Sequence, residues 1–450
     1  MDALRCSRRD LLGLLGVGFA GALAGCERGD ETAGTPSPEQ TTGQTPTPTQ
    51  TTPQPTPDPP SGGALSDPGF VPGDAFGSAV AIDDAVFVGA PSAGSDGSGL
   101  VDVFEWSGAD WDTVSTLGPA ESEAGDRFGS ALAVDGDTLL VGAYGWASGR
   151  DDPDTDAAGA AYVFERADGE WVEQTRLVPA DGDAYDRFGY SLAVEDGTAL
   201  IGAYNDEDPN GDSAGAAYVF ERTGDGWSQQ SKLFPEDGDE QDYFGRSVDL
   251  DGDRALIGAR RATTLLGGEK AGAAYVFERT GASWSQQAKL TPRDGDSWDR
   301  FGEAVALDGT TALVGAYGDE DPVGDGRFDG AGSAYVFERR EGQWRQQAKL
   351  TAEASEPTDA FGVEVALDGG TALVGAPTHD IEGVEDAGTA VVFRQDGTEW
   401  TESDSYTAAM PTENGRFGTA VELGTEIVAV GAPGAADDPE TAGSATVVER

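Results

Sequence analysis

Asp299-Arg300-Phe301-Gly302-Glu303-Ala304-Val305-Ala306-Leu307-Asp308-Gly309-Thr310-Thr311-Ala312-Leu313-Val314-Gly315-Ala316 decides how this chain folds. Its signature recurs: a Phe-Gly pair stands at Phe76, Phe128, Phe188, Phe244, Phe301, Phe361 and Phe417, at intervals of 52 to 60 residues. A period of that length marks a solenoid, a propeller or an array. Phe301, Val305 and Leu307 alternate with Gly302, Ala304 and Ala306, as in a strand with one bulky and one small face. Such a sheet can nest against a copy of itself, so packing is the first reading of the Phe-Gly pair. Asp308-Gly309 supplies a tight turn, because Gly accepts positive φ. Residues 312–316 form a second strand, Gly332-Ser333-Ala334-Tyr335-Val336-Phe337-Glu338 a third, and Trp344-Arg345-Gln346-Gln347-Ala348-Lys349-Leu350 a fourth. Four short strands with hairpin signals, repeated without an intervening helical period, predict an all-β fold. The expected architecture is a seven-bladed β-propeller of four-stranded antiparallel blades spanning residues 63–450.

The repeat resembles the FG-GAP repeat of integrin α-chain propellers and of many prokaryotic surface proteins. The matching residues are Phe-Gly, then Val314-Gly315-Ala316, then the Gly-x-Ala-Tyr-Val-Phe run from Gly332 to Phe337. The resemblance covers roughly Leu65 to Arg450 and implies adhesion or recognition. Integrin-type repeats often carry a calcium loop between their first two strands. Here that loop has shrunk to Asp135-Gly136-Asp137 or Asp308-Gly309, too few oxygens for a six- to eight-ligand calcium shell.

The seventh repeat runs only to the end of its third strand, at Val447-Val448-Glu449-Arg450. Closing the ring then asks for a strand from the other end. Leu65 precedes Phe76 by the same interval as Leu290 precedes Phe301. Residues 62–65 are therefore expected on the outer edge of the last blade; a three-stranded last blade is the alternative.

Residues 1–25 read as an export signal. Ser7-Arg8-Arg9-Asp10-Leu11-Leu12 resembles a twin-arginine motif, with Arg8 and Arg9 as its pair. The apolar run from Leu11 to Ala24 is too short for an ordinary membrane helix. It ends in Leu23-Ala24-Gly25-Cys26, which resembles a lipobox and implies a lipid on Cys26. Residues 26–62, rich in Thr, Pro, Gln and Gly, cannot bury a core and are expected to form a disordered stalk. In a polyproline-like state at ~3.1 Å per residue, that stalk reaches on the order of 100 Å. The expected location is the outer face of the cell membrane.

Acidic residues number 82 against 28 basic, for a formal charge of −54. The carboxylates are spread over all repeats, and only Lys232, Lys270, Lys289 and Lys349 represent lysine. Such a chain repels itself in dilute buffer, whereas molar salt shortens the Debye length to ~3 Å. The pattern resembles haloarchaeal surface proteins. Nucleic acid is not expected as a partner, because phosphate binding wants a basic surface. Cys6 and Cys26 lie in or at the end of the signal, so the folded domain has no disulfide.

Strand parity puts the loops between second and third strands on one face, together with the blade-to-blade connections. These loops are long and acidic: Phe-Gly to the third-strand Gly takes 23 residues in blade one and 31 in blades two and five. Loop variation on a rigid scaffold is where binding usually resides. Asp206-Glu207-Asp208-Pro209-Asn210-Gly211-Asp212 carries the first half of an EF-hand-like pattern, which makes Asp206, Asp208, Asn210 and Asp212 a candidate Ca2+ site. Ala217 stands where the bidentate Glu would be, and a solvated acidic loop is the other reading. An Asp two residues before Phe in six repeats (Asp74, Asp126, Asp186, Asp242, Asp299, Asp359) reads as turn-fixing.

No catalytic constellation is identifiable. His379 is the only histidine, and Gly211-Asp212-Ser213-Ala214-Gly215 spells a nucleophile motif but precedes a strand where the elbow needs a helix. The expected function is a non-catalytic, lipid-anchored surface module. It would be a monomer that binds an envelope protein or glycan through the long acidic loop face. A polysaccharide hydrolase or lyase working through Asp and Glu stays open, as does a passive envelope component. Facing carboxylates in a deep axial pocket would favour the enzyme. A flat acidic rim with exposed Tyr204, Tyr317 and Trp298 would favour binding.

Overall fold

A computed structural model describes residues 63–66, 69–147, 157–207, 210–224, 226–265, 267–320, 330–434 and 443–450. The signal, Arg8, Arg9, Cys26 and the stalk lie outside the described residues. No helix occurs among the described residues.

Seven four-stranded antiparallel sheets form the domain, each in simple up-and-down order. Blade five shows the pattern: inner strand Val305–Asp308, second strand Thr311–Ala316, third strand Ser333–Arg340 and outer strand Gln343–Leu350. The inner strands of successive blades neighbour one another around the axis, and those of blades seven and one also meet, which closes the ring. The last blade is completed from the other end of the domain. Gly63–Leu65 pairs antiparallel with Ser444–Glu449, in the register Gly63↔Val447, Ala64↔Thr446 and Leu65↔Ala445. The Leu65 side chain is buried against Phe76, Ile82 and Val447.

The two faces of the repeat nest as their sizes dictate. Phe301, Val305 and Leu307 pack on Leu256, Ala274, Val276 and Leu290 of blade four. Ala304 and Ala306, from the opposite face, join Phe361, Val365 and Val374 of blade six. The Phe-Gly ring lies edge-on to the third-strand aromatics: Phe301 is 5.6 Å from Tyr335 and 5.8 Å from Phe337, centroid to centroid.

Glycine does the rest at the blade seam. A Cβ on Gly315 would stand 2.0 Å from the carbonyl oxygen of Gly362 in the next blade. A Cβ on Gly332 would stand 2.1 Å from the oxygen of Phe361. Only a residue without a side chain lets the backbones approach so closely.

On the short-turn face the turn carboxylates stitch blades together. Asp83 accepts the Gly136 N–H at 2.7 Å, Asp135 that of Asp196 at 2.7 Å, and Glu195 that of Gly252 at 2.6 Å. Asp251 accepts from Gly309, and Asp308 from Gly369. Between blades six and seven Arg450 pairs with Asp368 instead. Each backbone donor is a turn N–H of the next blade, so the contacts tie neighbouring turns together around the ring.

Candidate functional site

Each Phe-Gly pair is approached through a strained hook. The residue before Phe has φ between 56° and 62° in all seven repeats, although none of the seven is Gly: Ala75, Arg127, Arg187, Tyr243, Arg300, Ala360 and Arg416. The left-handed region costs an L-residue ~1–2 kcal/mol. Two residues earlier φ is again positive, at Gly73, Gly125, Tyr185, Gln241, Trp298, Thr358 and Asn414. Between these positions the Asp turns inward in six repeats. Its Oδ2 accepts the backbone N–H three residues upstream, at 2.6 Å for Asp299 with Asp296 and 2.7 Å for Asp186 with Asp183. Its carbonyl accepts from the loop after the second strand, as Asp299 does from Gly318 at 3.0 Å. The Asp therefore fixes the turn, and the residues either side of it face the long-loop surface.

Four of those seven strained positions before Phe are Arg, in a chain with few basic residues. Two further repeat positions, after Phe-Gly and after the Val-Gly-Ala strand, come to the same place. In blades two to five they carry Ser130, Tyr144, Tyr190, Tyr204, Arg246, Arg260, Glu303 and Tyr317, with Arg261 following Arg260; in blades one, six and seven they carry only small, apolar or hydroxyl residues, including Pro91, Pro377 and Pro433. The axial mouth of the long-loop face is thus chemically lopsided, with an arc of Arg and Tyr over four blades.

The arc is continuous. Tyr144 and Tyr190 lie 5.4 Å apart, Tyr190 and Tyr204 4.6 Å, Tyr204 and Tyr243 5.5 Å. Guanidinium groups sit over these rings: Arg246 over Tyr190 at 4.2 Å, Arg261 over Tyr243 at 4.4 Å, Arg300 over Tyr317 at 4.7 Å and Arg187 over Tyr144 at 5.5 Å. Below them Glu303 is 6% exposed and receives Arg246 at 2.6 Å and Arg260 at 2.9 Å. Burial opposes its ionisation, but the two guanidiniums prevail and hold its carboxyl below the usual range. Burial, then the nearby Arg260, pushes the Arg300 guanidinium down. Glu364 is the converse case: burial and the neighbouring Glu303 charge push it up to about 8. Among the described residues, Arg187, Arg261 and Arg300 have no carboxylate within salt-bridge distance.

Of the candidate calcium ligands, Asp208 lies outside the described residues. Asp206 is buried inside blade three, where it accepts the Tyr218 hydroxyl at 2.5 Å and pairs with Lys232 at 3.0 Å. Asn210 donates to the Pro235 carbonyl at 3.1 Å. Blade five repeats the buried arrangement with Asp319, Tyr335 and Lys349. Among the described residues, no group of three or more His, Cys, Asp or Glu is placed to hold a metal. His379 bonds Asp359 at 3.0 Å beside a cavity of about 60 Å³, and a second cavity of about 220 Å³ adjoins Met410.

The centre of the long-loop face carries an Arg and Tyr arc that the sequence reading did not single out. Tyr204, Tyr317 and Trp298 are half-buried within packed aromatic and cationic contacts, Trp298 beneath Lys270 at 4.7 Å. The arginines were missed because no single repeat contains the arc. Aligning the repeats and asking which positions diverge finds it.

Fold and mouth together define a seven-bladed β-propeller with a functionalised axis on its long-loop face. The chain belongs to the FG-GAP repeat family, whose model matches residues 111–164, 171–220, 227–277, 284–337 and 344–393. Each match begins at the Trp of one outer strand and ends at the third-strand Phe of the next blade, so the sequence unit is staggered by one strand from the structural blade. Comparison with curated proteins found no match.

Proposed function

We propose that this chain is a non-catalytic binding module, carried at the cell surface, that engages an envelope glycan or protein through its long-loop face. One observation carries the reading: the strained left-handed position before Phe, repeated in every blade, bears Arg or Tyr in blades two to five, where the arc converges, and Ala, Ala and Arg416 in blades one, six and seven. Backbone strain of this kind clusters at ligand clamps. The repeats supply a rigid frame, and the residues that break the repeat are chemically coherent. The export motif at Arg8 and Arg9, the lipobox ending at Cys26 and the stalk support a tethered surface location. A second lipid chain or another contact would complete the anchorage, since one acyl chain binds membranes only marginally.

The test is rebinding of the purified full-length protein to envelope stripped of it, at native salt. Saturable rebinding that Arg187→Gln and Arg300→Gln weaken is expected. Rebinding indifferent to both would leave a passive envelope component. Cys26→Ser is expected to move the protein from the membrane fraction to the supernatant.

A second reading, a polysaccharide hydrolase, is favoured by the opposed shifts of Glu303 and Glu364, since acid and base pairs are made that way. Two arginines already occupy Glu303, which takes that carboxylate out of an acid and base pair with Glu364 and makes binding the stronger reading. Turnover of acidic polysaccharide, lost in Glu364→Gln, would reverse that order.

A further inference from the structure

We propose that the Arg and Tyr arc is a carboxylate-sugar site, taking a uronic acid unit of an envelope glycan at the axial mouth. This rests on the binding reading above and names the ligand class.

The charge comes first. Carboxylates outnumber basic residues roughly three to one in this chain, with 82 against 28, so a guanidinium without an acidic neighbour is the exception. Elsewhere, Arg166, Arg222, Arg279 and Arg339 each hold a Glu of an adjacent blade. At the mouth, Arg187, Arg261 and Arg300 sit over tyrosine rings, Arg261 also donating to the Tyr243 hydroxyl at 3.0 Å, and have no carboxylate in reach among the described residues. Ring faces hold a guanidinium in place while leaving its in-plane N–H fork available. That fork matches a carboxylate in bidentate geometry. The one acid inside the cluster, Glu303, is consumed from below by Arg246 and Arg260 and cannot satisfy the rest.

The ring chemistry selects the rest of the ligand. Five of the eleven tyrosines of the chain (Tyr144, Tyr190, Tyr204, Tyr243 and Tyr317) stand in this arc, all half-buried. Tyrosine presents an apolar ring and a hydroxyl together, which suits a pyranose with its C–H face and its rim of hydroxyls. The arc offers no Leu, Ile or Met for a peptide's apolar side chains. A single sugar unit or chain end also meets less repulsion from the chain's excess of carboxylates than a long polyanion would.

Titration calorimetry on the full-length protein at molar salt, with galacturonate dimer as the probe, tests this. The comparison probes are the neutral galactose dimer, acetate, sulfate and a tetraglutamate peptide. Expected is saturable binding of the acidic dimer, at least tenfold tighter than of any comparison probe. Arg187→Gln and Arg300→Gln should each weaken it about tenfold, with near-UV dichroism unchanged. Tyr317→Leu, which keeps the charges, should also weaken it. Equal binding of the neutral dimer would overturn the carboxylate element, and equal binding of acetate, sulfate or peptide the sugar element. Acidic-dimer binding unaffected by the variants would overturn the site. Rebinding to stripped envelope without any uronate binding would leave the binding module standing and remove this ligand class alone.

Discussion

The Asp two residues before each Phe is a small device with a pH consequence. Asp299 caps its turn while buried, and burial pushes its carboxyl up to about 7; Asp186 rises to about 7 and Asp242 to about 6 for the same first cause. A raised folded-state value means that the folded protein holds the proton more tightly than the unfolded chain. The stabilisation is full below the unfolded value near 4 and is lost as pH climbs through 6 to 7. His379, raised chiefly by its bond to Asp359, acts in the same sense from its own unfolded value near 6.5 upward. The melting temperature at fixed salt should therefore fall from pH 5 to pH 8. Asp299→Asn keeps an oxygen for the Asp296 N–H and removes one ionisation, so its melting curve should depend less on pH. A steeper dependence in that variant would contradict the assignment.

Glu303 is the residue whose loss should cost most at the mouth. Removing it leaves Arg246 and Arg260 facing each other half-buried, with both of their ion pairs to Glu303 gone. Breaking a buried pair in this way costs ~3–5 kcal/mol. Glu303→Ala should show that loss in denaturant unfolding, whereas Arg300→Gln, which has no ion pair to break, should lie within about 1 kcal/mol of the parent.

At the scale of the strand, the closing segment is the sensitive element. Three residues, Gly63–Leu65, seal the last blade, and Leu65 is 1% exposed. Leu65→Ala should destabilise by ~2–5 kcal/mol, the cost of a buried Leu truncation. Removing residues up to 70 should lower the melting temperature further, by uncovering the third strand of blade seven. An unchanged melt would mean that the ring closes without this strand.

The strands were readable because their periodicity and their packing have one cause. Alternating bulky and small residues, such as Val305 and Ala306, predicted both the pleat and the nesting of blade on blade. The Gly at 302, 315 and 332 announced itself by recurrence, and the structure supplies its reason, a backbone seam with no room for Cβ. Asp308 was legible as a turn residue but not as a link to Gly369 of the next blade, because that link exists only after assembly. The mouth was less legible for the same reason. Arg300, Tyr243 and Tyr190 belong to three repeats, and only closure brings them together. Asp206 shows the opposite limit: a local pattern suggested a ligand loop, and its buried contacts with Tyr218 and Lys232 became visible only in the fold.

For the whole molecule, charge sets the working conditions. A formal −54 on the chain, with no cysteine in the ring, leaves blade packing to oppose electrostatic repulsion. At about 0.1 M salt the Debye length is ~10 Å and repulsion reaches across blades; at 1 M it is ~3 Å. Near-UV dichroism and the melting temperature should both increase between these conditions. A signal retained in full at the lower one, without divalent ions, would show that packing alone suffices.

The one-strand offset between family repeat and blade bears on heredity. A stretch of coding DNA from one outer-strand Trp to the next carries a self-contained set of seams, since it finishes one spoke and begins another. Unequal crossing-over in that phase would add or delete a whole spoke while leaving the clasp untouched.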